Sequence, residues 1–118
     1  MKNLLPIFSF FSILSLTSCG YDKKDIPNCL VDTTHVTYAN KAKMIIDQTC
    51  ATNGCHVQNG SSTFDFTTYL GVIDRVNAGS FETRILLPPS DLSHMPQNTE
   101  LSSCDFNTLM AWVHQGAQ

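Results

Sequence analysis

Between Cys50 and His56 the chain reads Cys-Ala-Thr-Asn-Gly-Cys-His, and this stretch constrains the rest more than any other. Two thiols a few residues apart, with an imidazole directly after the second, have two uses. They can close on each other as a small disulfide loop. They can also add across the two vinyl groups of a haem as thioethers, with His56 reaching the iron from one side. In the second use the histidine must follow Cys55 at once, because that thioether fixes where the next side chain meets the porphyrin face. The usual gap between the cysteines is two residues, and here it is four. Asn53-Gly54 supplies the turn that lets the longer insert bulge without moving Cys55 or His56. Both uses stay open on these residues alone.

The 118 residues allow one domain. The first stretch reads as a leader: Met1-Lys2 is a short basic start and Leu4 to Leu16 is mostly apolar. The run is too short to span a membrane, and Leu16-Thr17-Ser18 closes it with small residues before Cys19. That ending is similar to a bacterial lipobox. It predicts a signal peptide over 1–18 and a lipidated Cys19 at the mature N-terminus. The alternative is an ordinary signal peptide in which Cys19 is incidental. Export would place the chain on a membrane, facing the periplasm or the cell surface. Losing Lys2 takes the formal charge from −3 to −4, so nothing points to nucleic acid.

A mature domain this small benefits from a staple or a cofactor, and export permits disulfides. Five cysteines are odd in number for an exported chain. With Cys19 given to lipid and Cys50 and Cys55 to haem, Cys29 and Cys104 remain as one disulfide. The count closes equally well if Cys50 pairs with Cys55.

Residues 19–36, with Asp22, Lys23, Lys24, Asp25 and Pro27, read as a solvated tether, and 37–118 as the folded domain. Tyr38 to Thr49 has helical spacing in Tyr38, Ala42, Ile45 and Thr49, with Thr37 as N-cap. Val57 to Thr63 is a loop, and Phe64-Asp65-Phe66 alternates like a brief extended piece with no assigned chemistry. Thr67 is a candidate cap for a helix from Thr68 to about Asn77, stopped by Gly79. Ser80 starts a short helix that ends by Pro88-Pro89. Pro88 to Thr99 is irregular. The last helix has Ser102 and Asp105 as an approximate capping box and Leu101 with Phe106 as a hydrophobic staple. Its apolar stripe is Phe106, Leu109, Met110 and Val113, with Trp112 near the edge and Gly116 as the stop.

On Cys50 to His56, Met95-Pro96, and the closing helix with Leu109, Trp112 and Gly116-Ala117, the chain resembles a class I cytochrome c domain of the short bacterial lipoprotein kind. The likeness runs from Tyr38 to Ala117. It implies an all-α fold, three to four helices packed around one covalent haem c with irregular loops. It also implies that Met95 ligates the iron opposite His56, and that the last helix packs across the first. Two departures from the family pattern are the four-residue gap between the cysteines and His94, a rival ligand beside Met95.

Met95 lies 39 positions beyond His56 on a Pro-rich loop. A thioether is a soft ligand that favours ferrous iron, and two strong axial ligands leave no open position, which favours electron transfer over oxygen chemistry. The reading is therefore an electron carrier, not an enzyme, whose acidic balance would suit partners with a basic docking patch. Two alternatives stand beside it. One is a haem-free binding or structural lipoprotein module with Cys50–Cys55 and Cys29–Cys104 disulfides. The other is a zinc site of Cys50, Cys55, His56 and Cys104, which adjacent Cys55 and His56 make awkward. Of the remaining residues, Met44, Met110, Trp112, Tyr69 and Phe106 are expected in the core, and His35 and His114 on the surface.

Overall fold

The structure is a computed structural model that describes Cys29 and residues 32–118. The leader at 1–18, the lipidation site Cys19 and most of the 19–36 tether lie outside the described residues. A wide helical turn, Tyr38–Ala42, runs directly into α1, Lys43–Thr49. Then follow α2, Tyr69–Asn77, α3, Ser80–Leu86, and α4, Ser103–His114. The described residues contain no strand, so the fold is all-α. No helix among them is long and apolar enough to cross a membrane.

Local side-chain chemistry starts the Tyr38–Ala42 turn, α2 and α4. Thr37 Oγ1 accepts the Asn40 N–H at 3.2 Å while Asn40 Oδ1 accepts the Thr37 N–H at 2.8 Å, a reciprocal cap. α2 is capped by Thr68, whose hydroxyl oxygen accepts the Gly71 N–H, and not by Thr67 as expected. Thr67 is already engaged: Asp65 Oδ1 accepts both its N–H at 2.9 Å and its hydroxyl at 2.6 Å, a local turn that competes with capping. At α4, Ser102 Oγ accepts the Asp105 N–H at 3.1 Å. The Asp105 carboxylate accepts a hydrogen bond from the Ser102 hydroxyl at 2.7 Å, because Asp is one methylene shorter than the Glu that reaches a cap's backbone N–H.

α4 packs across the Tyr38–Ala42 turn, and α2 packs on α3. The largest fully buried side chains are Trp112, Ile46, Leu109 and Val72. Trp112 is thus in the core as expected, and fully buried although it lies near the edge of its own helix's apolar stripe. The reason is the chain reversal after α4, where Gly116 at φ 94° turns Ala117 and Gln118 back over the indole. Gln118 O accepts the Trp112 Nε1–H at 3.1 Å and the Tyr38 N–H at 2.6 Å, while Phe81 meets the indole edge-on. A helical stripe counts neighbours along one helix and cannot register such a return.

Met110 is buried, but Met44 is 59% exposed, since Ala42, Ile45 and Ile46 take the inward positions around it. Tyr69 sits at the rim, packing on Tyr38 and donating its hydroxyl to Ala117 O at 3.0 Å; Phe106 is half-buried. His35 and His114 are exposed, and His114 Nε2 lies 2.7 Å from Glu82 Oε1 on α3. Cys29 and Cys104 form a disulfide with Cα atoms 5.3 Å apart, tying the start of the described chain to the first turn of α4.

Candidate functional site

α1 delivers Cys50. The Cys50 and Ala51 N–H groups both return to Ile46 O at 2.8 Å, so the thiol emerges where the helix ends. The next residues fold back on themselves: Cys55 N–H donates to Thr52 O at 3.0 Å, Gly54 takes φ 82°, and His56 N–H reaches Cys50 O at 3.2 Å. The four-residue insert is therefore a closed turn that brings His56 beside Cys50. The following loop folds onto it so closely that a β-carbon on Gly60 would lie 2.0 Å from Cys55 O. Both thiols are free; Cys55 is exposed and Cys50 half-buried. Burial pushes the Cys50 thiol up, the Thr49 hydroxyl 3.4 Å away partly offsets this, and neighbouring Cys55 adds to the rise.

Phe64-Asp65-Phe66, which the sequence left without a role, clamps His56. Phe66 N–H donates to His56 O at 2.8 Å, and its ring stacks on the imidazole with centroids 4.2 Å apart and planes 7° from parallel. Phe64 O lies 3.2 Å from His56 Nδ1. A carbonyl can only accept, so Nδ1 carries the proton, and in the neutral imidazole Nε2 keeps its lone pair. A metal-ligating histidine is commonly held in this way, by a carbonyl on one nitrogen with the other free to coordinate. α2 presses on the clamp from behind, at Gly71. The alternating phenylalanines were the visible signal, but their partner lay eight or more residues away and nothing in the pattern named it.

The second group of residues hangs on the end of α3. Met95 N–H donates to Arg84 O at 2.9 Å, Arg84 Nη1 to Ser93 O at 3.2 Å, and Asp91 Oδ1 accepts the Ser93 N–H at 2.7 Å. These bonds hold a loop in which Met95 is half-buried and Pro96 buried, with a cis peptide between them. Met95 and Pro96 border a largely apolar hollow of about 320 Å³ together with Ile85, Leu87, Leu101 and Phe106. His94 borders it too. Its Nδ1 donates to Leu87 O at 2.7 Å, leaving a buried Nε2 with no partner among the described residues.

Compared with family models, with curated proteins and with solved structures, the chain matches none. The site must be judged on its own chemistry. Cys50, Cys55 and His56 are brought together at one turn, and Met95 with His94 at another; the hollow beside Met95 does not include the first group. An aromatic chain joins the two regions: Phe66, stacked on His56, lies 6.1 Å from Phe81, and Phe81 stands one turn before Arg84 on α3. No three His, Cys, Asp or Glu side chains converge among the described residues, and Cys104 is occupied by Cys29, so a protein-only zinc cage is not assembled. A haem asks something different of the chain: two free thiols at one turn, one imidazole with a bare Nε2, and a soft ligand beside apolar walls. Residues of each of these types are present, the thiols and imidazole at one turn and the soft ligand at the other.

Proposed function

We propose that this chain is an exported, lipid-anchored monohaem c-type cytochrome that carries single electrons between redox partners. The observation that carries the reading is His56, held by Phe64 O with its Nε2 bare and standing directly after two free thiols on one closed turn. In this reading Cys50 and Cys55 would hold the haem through thioethers, and His56 Nε2 and the Met95 sulfur would ligate its iron. When bound, haem iron supplies one-electron chemistry. The chain's own part is to orient His56 through the 64–66 clamp, to hold Met95 against Arg84, and to line the Met95 side with Ile85, Leu87, Leu101 and Phe106. A second ligand set has support of its own: the partnerless His94 Nε2 would suit bis-histidine ligation. The anchor at Cys19 and the placement at the periplasm or cell surface belong to the same proposal.

The test is expression in an exporting host with c-type haem maturation, followed by denaturation. The expected result is haem that stays with the polypeptide, with a weak far-red sulfur-to-iron band in the oxidised form. Met95→Ala is expected to abolish that band and lower the potential, and His94→Ala to leave it in place. The reverse pattern assigns His94. A colourless chain with no free thiols would replace the carrier with a disulfide-held binding or structural module.

A further inference from the structure

We infer that Arg75 is a positioning residue for the bare nitrogen of His56, acting through Phe64. The inference rests on the reading of His56 as an axial ligand and says which side chain outside the Cys50–His56 turn keeps it ready. Phe66, the rear half of the clamp, is anchored three ways: it is 6% exposed, it is bonded to His56 O, and it is stacked on the imidazole. Phe64 has much less. Its ring is 43% exposed, and its N–H bonds only to the nearby Ser62 hydroxyl at 3.1 Å. Yet Phe64 supplies the carbonyl that sets the His56 tautomer.

What covers the Phe64 ring is the Arg75 guanidinium, whose central carbon stands 4.4 Å from the ring centroid. Arg75 projects from α2, which is fixed against the same segment at Gly71. The Arg75 side chain is 26% exposed and its Nη2 is paired with neighbouring Asp74. Its Nε is buried with no partner among the described residues, as expected of a guanidinium that gives its face to a ring instead of its edge to an acceptor. Holding the ring holds the residue, and holding the residue keeps its carbonyl on Nδ1–H. An imidazole so bonded has the coordinating tautomer ready-made and is the more basic donor through Nε2.

The test reads the tautomer directly. In the haem-free full chain, nitrogen NMR of neutral His56 is expected to show Nδ1–H predominating, whereas free neutral histidine favours Nε2–H. Arg75→Met and Phe64→Leu should each move His56 several-fold toward Nε2–H, and the double variant no further than either alone. Arg75→Lys, which keeps a cation over the ring, should stay close to the parent. Unchanged Trp112 emission verifies the fold, and Arg75→Gln replaces Arg75→Met if that emission shifts. Arg75 variants that leave the tautomer alone while Phe64→Leu shifts it would overturn the proposal, as would additive shifts in the double variant. Either result would leave the axial role of His56 standing. Failure of the matured parent chain to retain haem would remove that role while the tautomer shifts persist.

Discussion

A β-carbon on Gly71 would lie 1.7 Å from the carbonyl oxygen of Asp65, a backbone atom that cannot swing aside. Gly71→Ala must therefore push α2 away from the segment that holds His56. The expected loss is about 1–3 kcal/mol, the usual range for overpacking. Urea unfolding followed by Trp112 fluorescence measures it, and an unchanged midpoint would mean that the close approach is not maintained in solution. At the same scale, Cys50 makes the haem-free chain sensitive to alkali. Burial raises its folded pKa above the ordinary 9.0, so the folded state holds the proton more tightly than the unfolded state does. Its contribution is complete below the unfolded value and is lost as pH rises through the folded one. Stability should fall across that alkaline window, and more steeply than in Cys50→Ala. Parallel slopes for the two chains would show the thiol to be unperturbed.

Among the elements, α4 bears the most attachments. It is capped by Ser102, crosses the Tyr38–Ala42 turn, meets α3 through His114 and Glu82, and is tied to Cys29 by the disulfide. That bridge closes a separation of 75 residues. In the chain-entropy model such a loop restricts the unfolded state by about 4 kcal/mol. Paired Cys29→Ala and Cys104→Ala substitutions should lower the urea midpoint and raise the slope, because the released unfolded chain exposes more surface, while leaving haem retention intact. Non-reducing peptide mapping that recovers both as free thiols would remove the bridge from the account. By contrast α1 and α3 are short, and each ends where a candidate ligand begins: Cys50 follows α1 directly, and Arg84 near the end of α3 holds Met95. Their role is delivery more than bulk.

For the whole molecule, the consequence of the proposed function is electrostatic. A mature chain of formal charge −4, as proposed for the product lacking Lys2, attracts a partner whose redox centre is ringed by basic side chains. The bimolecular electron-exchange rate with such a partner should fall as salt is added, by roughly tenfold or more from low to physiological ionic strength. Stopped-flow mixing across a salt series measures this. A rate that stays flat or rises with salt would assign docking to an apolar contact, for which Leu92, 93% exposed on the Met95 loop, is the nearest candidate.

Helix positions were legible because they are written locally. Thr37, Ser102 and the spacing of Ile45, Leu109 and Met110 each act within a few residues, where cap chemistry and a 3.6-residue period decide the outcome. The residues of the candidate site were legible for the same reason: Cys50, Cys55 and His56 are contiguous, and their chemistry follows from type and order. What the sequence could not express was partnership at a distance. Phe64 and Phe66 read as an idle alternation until the fold set them on His56, and nothing in the sequence marked Arg75, which α2 lays over Phe64. Trp112, near the edge of its helix's stripe, is fully buried because Gly116 turns the chain back over it. Met44 moved outward because its neighbours filled the inner face first. Residue type and local spacing determined the helices and the chemistry on offer; only tertiary packing decided which carbonyl orients the imidazole, because that choice depends on which residues the fold brings within hydrogen-bond reach.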